Sequence, residues 1–260
     1  MLKKYFKKLI PKRSDQRERL AKRYVKGCGL EIGALHRPLA LPAGVNVKYV
    51  DLVSREESIK KFPELDASEI VAVDYIDDGF ILSEIPQASQ DFLIANHVLE
   101  HTPNPIQALK NWARILKPEG ILFITVPIAK ECFDKGRSLT TLEHLIDDFE
   151  LYNKNAQAQA QAKIEQKNKD HLREWINLSE RNLFTERYAD YKHPSSAEIE
   201  KRIEATDIKN IEIHFHTFSL HSYKRLLFYF NAEIDQTVQK EKVIKNGGEI
   251  VSVLKKNSLM

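Results

Sequence analysis

The sequence predicts an α/β fold built on a doubly wound parallel sheet, and two observations support it. Strand-like apolar runs alternate with segments of helical periodicity, such as Ile106, Leu109, Ala113 and Leu116. Polar residues also follow the apolar runs, at the strand ends where open α/β sheets bind ligands. With 260 residues, 42% of them hydrophobic, the chain is long enough to bury one substantial core.

The first half of the chain supplies a predicted helix and four predicted strands. A helix capped by Ser14 runs to about Val25. The strands are expected at 30–33, 45–50, 70–73 and 92–95. Asp51, Asp74 and Asn96 follow three of them.

The second half contains a well-defined helix and strand, followed by an irregular insert. Asn104 caps the helix, Pro105 takes its first position, and the sequence at 117–120 ends it. A buried strand is expected at 121–126. Residues 128–217 lose regular patterning, and their Ala/Gln tract at 156–162 predicts an exposed helix. A helix at 222–230 and strands at 232–238 and 249–254 would complete the sheet.

This pattern predicts four parts of the chain. Residues 1–26 form a basic amphipathic helical arm, 27–127 the core of the sheet, 128–217 a helical lid or substrate-binding insert, and 218–260 the end of the sheet. The arm carries nine more positive than negative charges, although the whole chain has a net charge of only +3.

The first residues of the arm predict a surface helix. Apolar residues share one helical face and lysines fill the other, which is typical of a helix lying on an anionic membrane. Docking of that apolar face on the chain's own domain is the alternative. Peripheral membrane contact through residues 1–12 is therefore one of the two expectations for this segment.

Composition excludes several other classes. The sequence has no apolar run of about 18 residues and no secretory signal pattern, so a cytoplasmic protein is expected. The membrane interpretation of the arm would place the protein peripherally at the inner membrane face. Cys28 and Cys132 are too few for a disulfide framework. No nucleic-acid recognition motif accompanies the basic arm.

The most informative residues are Glu31 and Gly33, which close the first strand, and Asp51 at the end of the second. A carboxylate at Asp51 can accept hydrogen bonds from both hydroxyls of a ribose. A single Gly33 differs from the G-x-G-x-x-G sequence that a dinucleotide pyrophosphate requires. The site is therefore predicted to bind a nucleoside without phosphates.

These residues resemble class I S-adenosylmethionine-dependent methyltransferases, in particular the small-molecule branch named methyltransferase type 11. The resemblance rests on the sequences at 30–34, 49–51, 91–101 and 116–122. It implies a Rossmann-like sheet of seven strands with the last strand antiparallel, a helical insert after the fifth strand, and S-adenosyl-L-methionine as cofactor. The usual Gly-x-Gly-x-Gly loop is reduced here to Gly33, with Ala34 beside it.

The resemblance also implies the cofactor-binding residues. Glu31, Gly33 and Ala34 would line the methionyl end, Asp51 would hold the ribose, and Leu52 would flank the adenine. The adenine would also contact Asp74 and Tyr75, and the sulfonium would lie above Asn96 and His97.

Methyl transfer needs a general base only when the acceptor is a hydroxyl or a protonated amine, and histidine suits that role. His101 is the first candidate, with backbone hydrogen bonding as its alternative, and His144 is the second. Arg137 and His216 are candidate acceptor contacts, although a surface salt bridge is an alternative for Arg137. No metal is assigned, because His214, His216 and His221 lack companion Cys residues or closely spaced acids.

The predicted function is methyl transfer to a hydroxyl, amine or carboxylate of a small-molecule, glycan or lipid-linked acceptor. A non-catalytic methyltransferase-like module for partner or membrane binding is one alternative. A nicotinamide-dependent reductase or epimerase is another, because Tyr188 and Lys192 form a Tyr-x-x-x-Lys sequence. Methylation of nucleic-acid bases is disfavoured, since residues 96–99 read Asn-His-Val-Leu instead of Asn/Asp-Pro-Pro-aromatic.

Overall fold

The computed structural model describes residues 15–154, 156–209 and 211–258. Residues 1–12, for which a membrane helix is predicted, and the Ser14 cap lie outside this part. The described residues divide into two compact units. Unit 1 comprises residues up to Leu99, Ala108–Val126 and residues from Leu227 onward, and unit 2 comprises Glu100–Gln107 and Pro127–Leu226.

Unit 1 contains a seven-stranded sheet with the strand order β3-β2-β1-β4-β5-β7-β6. Strands β1 to β5 pair in parallel, whereas β6 and β7 pair antiparallel to each other. This mixed sheet confirms the predicted fold class. The strands are β1 Cys28–Ile32, β2 Asn46–Asp51, β3 Tyr75–Ile76, β4 Gln90–Asn96, β5 Leu116–Pro127, β6 Val238–Asn246 and β7 Glu249–Lys256.

Helices pack against this sheet through apolar side chains. Helix α1 covers Asp15–Tyr24. Its Ala21, and Val25 directly after the helix, are fully buried in a core cluster with Phe92, Phe123 and Val251. The short α2 covers Arg55–Lys61, and α3 covers Pro105–Ile115. Asn104 caps α3 as predicted, because its side-chain oxygen accepts a hydrogen bond from the Gln107 backbone N–H.

Unit 2 is helical and has its own apolar core. Its helices are α4 Leu142–Asn153, α5 Ala158–Glu174, α6 Arg181–Arg187 and α7 Ser196–Ala205, and a π-helical segment at Trp175–Glu180 joins α5 to α6. Leu172, Ile176, Ile199, Ile203 and Phe215 form part of that core. Helix α8, Leu220–Tyr229, begins in unit 2 and ends in unit 1, where a second π-helical segment, Phe230–Ile234, follows it.

The predicted positions of three strands are wrong. The third strand is Tyr75–Ile76 instead of 70–73, the fifth strand begins at Leu116, and the segment 232–238 is not a strand, because helical structure continues to Ile234. Among the described residues, no helix combines the length and apolarity needed to cross a membrane.

Candidate active site

Glu31 is fully buried at the end of β1, and its carboxylate holds the adjoining loop. Both of its oxygens lie 3.0 Å from the backbone nitrogen of Leu39, and Oε1 also accepts a hydrogen bond from Asn96 Nδ2 at 3.0 Å. A buried carboxylate needs such donors to replace water. Glu31 therefore joins the ends of β1 and β4 to the loop that starts at Gly33.

The turn after β1 uses left-handed backbone at two positions. Gly33 has φ +62°, and Leu35 has φ +47°, a conformation that costs a residue with a Cβ about 1–2 kcal/mol. Ala34 lies between them with 8% exposure, and its carbonyl accepts a hydrogen bond from the Arg37 N–H at 2.8 Å. The strained position is thus Leu35, two residues after Gly33 and matching the second glycine of Gly-x-Gly-x-Gly.

Asp51 ends β2 beside an exposed apolar edge. Its Oδ1 accepts a hydrogen bond from the Leu52 N–H at 2.8 Å, and its register partner in β3 is Ile76. Leu52 is 57% exposed and Ile76 is 61% exposed. A carboxylate flanked by two exposed apolar side chains offers a polar contact for a ribose and an apolar surface for a base.

The prediction that Asp74 follows the third strand is wrong. Asp74 precedes β3, and its Oδ2 accepts a hydrogen bond from the backbone N–H of Tyr49 at 2.8 Å, so it joins β2 to the segment before β3. Tyr75 is within β3, where its hydroxyl lies 3.3 Å from Lys48 Nζ. The acid that follows β3 directly is Asp77, whose carboxylate accepts hydrogen bonds from the Ser83 hydroxyl and from the Glu84 N–H.

Asn96 and His97 are held at the end of β4 by neighbouring strands. Asn96 donates to Glu31, and its Oδ1 accepts a hydrogen bond from the Thr125 hydroxyl at 3.2 Å. His97 has φ +55°, and its Nε2 is 2.9 Å from Glu249 Oε2. Arg17 also bonds Glu249, so His97 is fixed by residues from both ends of the described chain.

Unit 2 contains a buried imidazole network around His214. Its Nδ1 is 2.6 Å from Asp134 Oδ2, and its Nε2 is 3.9 Å from Glu100 Oε1. Burial raises the pKa of Asp134, but hydrogen bonds and charge from His214, Ser179 and Arg137 outweigh burial and lower that pKa to about 2. The ring of His101 packs edge-on against the His214 ring, with 4.6 Å between centroids. An ionised Asp134 therefore orients His214, as a carboxylate orients a catalytic histidine.

The sequence did not single out His214 for catalysis, because its partner Asp134 is 80 residues away. The alternating sequence His214-Phe215-His216 is the one signal that points to it. The three histidines considered above as a metal site, His214, His216 and His221, have different surroundings in the structure. His214 contacts Asp134, His216 lies near Asp148, and His221 is exposed.

Arg137 is neither a surface residue nor placed to bind an acceptor. Its side chain is 1% exposed, and its guanidinium donates to Asp134, Glu174 and the backbone oxygens of His214 and Phe215. A guanidinium has five N–H donors, and this set of partners occupies them. Both predicted uses of Arg137 are therefore replaced by a structural one, in which it fixes the chain at 214–215.

His144 and His216 both lie close to the carboxylate of Asp148. His144 lies in the first turn of α4, which Thr141 caps, and its Nε2 is 3.1 Å from Asp148 Oδ2. His216 is fully buried, with its Nε2 3.8 Å from the same carboxylate oxygen.

The Tyr-x-x-x-Lys sequence at 188–192 is not helical. Helix α6 ends at Arg187, and Tyr188 has extended backbone. Tyr188 and Lys192 are therefore not neighbours on one helix face, as residues four apart on a helix would be.

The strand order places the chain in the doubly wound α/β class, and the glycine turn after β1 and the carboxylate ending β2 lie at the strand ends where this class binds ligands. The chain belongs to the methyltransferase-domain family, since the family model described as "Methyltransferase domain" matches residues 3–237. This match confirms the predicted class I S-adenosylmethionine-dependent methyltransferase and its cofactor, S-adenosyl-L-methionine.

Similarity to individual proteins is more limited. Over 73 residues the chain is 40% identical to the highly reducing polyketide synthase ALT1 of Alternaria alternata, a match that covers 28% of this chain and 3% of that protein. This chain thus spans a small fraction of that relative's length.

Two solved structures are similar to this chain to different degrees. One, from Rhodobacter sphaeroides and described among "Zn-dependent Alcohol Dehydrogenases", has a TM-score of 0.51 and 17% identity, with 96% of this chain and 92% of that chain covered. The other, a SAM-dependent methyltransferase from Aquifex aeolicus, has a TM-score of 0.44 and 11% identity, with 93% and 89% covered. At these identities the first similarity shows the fold alone, and the second adds no argument.

Proposed function

We propose that this methyltransferase acts on a hydroxyl, amine or carboxylate of a small-molecule, glycan or lipid-linked acceptor. The observation that carries the cofactor half of this proposal is Asp51 between Leu52 and Ile76 at the ends of β2 and β3. In this proposal Asp51 accepts the ribose hydroxyls, and the two apolar side chains cover the adenine faces.

The bound cofactor supplies an activated methyl group, so the chain's residues mainly position and desolvate the reacting groups. Glu31 and Asn96 fix the loop after β1, and Gly33 lets its backbone turn toward the methionyl end. Asp77 replaces Asp74 as the acid that follows β3, with Tyr75 inside that strand.

His101 and His214 are the proposed proton acceptors for a hydroxyl or protonated amine. His214 has its Nδ1 fixed by Asp134, and His101 packs against it five residues after Asn96 in the chain. Either imidazole can take the proton in this proposal, and in His214 the nitrogen that takes it is Nε2, because Nδ1 faces Asp134. His144, the other predicted base, belongs to a separate cluster with Asp148.

Cofactor binding tests the first part of the proposal. Changing Asp51 to Asn should weaken S-adenosylmethionine binding roughly tenfold to a hundredfold, because charge-assisted hydrogen bonds are worth about 1.5–3 kcal/mol each. Isothermal titration calorimetry measures the affinity, and Asp190→Asn, at an exposed position, is the matched control. Absence of heat with the unchanged chain, or thermal stabilisation by NAD or NADP alone, would reverse the assignment. Absence of heat would favour the alternative of a non-catalytic module, because such a module need not bind the cofactor.

Turnover tests the second part. Changing His101 to Ala should lower turnover by about 10²- to 10⁴-fold while leaving cofactor affinity unchanged, because general-base catalysis contributes that range. Turnover is measured with a labelled methyl donor and mass spectrometry of candidate acceptors, with exposed His221→Ala as control. Undiminished turnover in His101→Ala would remove this residue from the mechanism.

A further inference from the structure

Three side chains of unit 2 converge on one point and meet the spacing of a metal site. One ligand atom from each of His144, Asp148 and His216 lies within 4.8 Å of the other two. His144 Nε2 and Asp148 Oδ2 are 3.1 Å apart, and His216 Nε2 is 3.8 Å from the same oxygen. Donor atoms bound to one ion at about 2.0–2.2 Å lie roughly 3 to 3.5 Å apart, close to these separations.

The local structure explains why the three side chains meet. His144 and Asp148 are four residues apart on α4, so they lie on the same face of the helix. His216 belongs to the extended segment after Ile213, whose backbone is fixed at its neighbour, since the Phe215 N–H donates to the Glu100 carbonyl at 2.8 Å. His171 of α5 completes the surroundings, with its ring centroid 5.3 Å from that of His144 and 5.4 Å from that of His216.

Two of the converging atoms have few partners besides each other. His144 Nε2 and Asp148 Oδ2 lie 3.1 Å apart, and within the described part of the chain no other group forms a hydrogen bond with either atom. Asp148 is 2% exposed and His216 is fully buried. His216 Nε2 is 3.4 Å from the Pro103 carbonyl oxygen, longer than the usual range. Buried polar atoms with so few partners destabilise the fold unless something binds them.

The cluster offers the donor atoms that a cation needs. Asp148 contributes a carboxylate, and His144 and His216 each contribute an imidazole, whose neutral form binds metal. Lys167 bonds the other oxygen, Oδ1, and leaves Oδ2 toward the two histidines.

We propose that His144, Asp148 and His216 bind a divalent transition-metal ion of the zinc class. Two imidazole nitrogens and one carboxylate oxygen are ligands typical of zinc and of non-haem iron(II), and three protein ligands leave a coordination position open for a water or another small ligand. The inference stands independently of the proposed acceptor chemistry.

A second group of converging ligands, Glu100, His101 and His214, is the weaker candidate. Its central imidazole, His214, is already bonded through Nδ1 to Asp134, which in turn is held by Arg137 and Ser179. This group serves as the internal comparison in the test below.

Metal binding by the full chain tests the proposal. The protein is purified without an affinity tag, treated with a chelator and titrated with Zn²⁺ by calorimetry, while Co²⁺ serves as a visible-absorption probe of nitrogen and oxygen ligation. We expect one equivalent to bind. His144→Ala and Asp148→Asn should weaken binding at least tenfold to a hundredfold, and exposed His221→Ala should leave it unchanged.

Circular dichroism verifies folding, and Asp148→Asn keeps the size of the side chain, so loss of metal binding in a folded Asp148→Asn protein supports the site. No binding by the unchanged chain would overturn the proposal. Binding that persists in His144→Ala but disappears in His101→Ala would also overturn it, because the ion would then occupy the second group. S-adenosylmethionine affinity, measured on the same samples, reports separately on the cofactor site.

Discussion

Glu249 of β7 joins two distant parts of unit 1. Its side chain is 13% exposed and bonds Arg17 of α1 and His97 after β4. Burial raises the pKa of Glu249, but hydrogen bonds from His97 and Arg17 outweigh burial and lower it to about 2. A carboxyl group with a lowered pKa in the folded state stabilises that state only while it is ionised.

The resulting pH dependence can be measured. Glu249 should stabilise the fold fully above its unfolded pKa of 4.5, and the contribution should disappear as the pH falls from there toward 2. Glu249→Gln should therefore lower the free energy of unfolding at pH 7 by an amount on the order of 3 kcal/mol, and the difference from the unchanged chain should shrink at pH 3. Urea unfolding at both pH values tests this, with exposed Glu233→Gln as control. A difference that stays constant with pH would contradict the assigned pKa.

Which site residues the sequence reveals depends on how far apart their partners are. Glu31, Gly33 and Asp51 could be recognised because each lies at the end of an apolar run, where the fold itself determines position. His214 pairs with Asp134 across 80 residues, and His216 approaches Asp148 across 68. No periodicity encodes such pairings, so the two imidazole clusters become visible only in the folded chain.

At the scale of elements, helices and central strands are the features that the sequence predicts best. The α3 helix carries both a periodic apolar face and a cap at Asn104, so local and tertiary signals agree. The third strand was misplaced because the apolar residues at 70–73 are held by loop contacts instead of a ladder. Arg55 Nε donates to the Ile70 carbonyl at 2.8 Å, and the Val71 N–H donates to the Leu35 carbonyl at 2.9 Å.

Strand β6 was misplaced for a different reason. Its sequence is mostly polar, and its first half exposes four consecutive polar residues at the edge of the sheet, Gln239, Lys240, Glu241 and Lys242. Charged edge strands of this kind resist pairing with other chains, but they lack the apolar content that marks a strand in a sequence. The apolar residues before it, including the buried Phe230, belong to the helical continuation of α8.

At the scale of the whole molecule, charge is distributed unevenly along the chain. Residues 1–26 carry nine more positive than negative charges, so residues 27–260 have a net charge of −6. In the described part of the arm, α1 buries Ala21 against the sheet, and Arg17 bonds Glu249. Residues 1–12, which lie outside the described residues, contain five lysines and no acidic residue, and these are the charges that remain for an anionic partner.

We expect residues 1–12 to bind the full chain to anionic membranes. Each Lys near such a surface is worth about 1 kcal/mol, and the attraction is screened by salt. The full chain should therefore co-sediment with phosphatidylserine-containing vesicles at low salt, less so with pure phosphatidylcholine vesicles, and a form lacking residues 1–12 should remain in the supernatant. Changing Lys3, Lys4, Lys7 and Lys8 to Gln separates charge from apolar contact, because it keeps Leu2, Tyr5 and Phe6. Equal pelleting of the full and shortened chains would contradict membrane binding and favour docking of this segment on the protein itself.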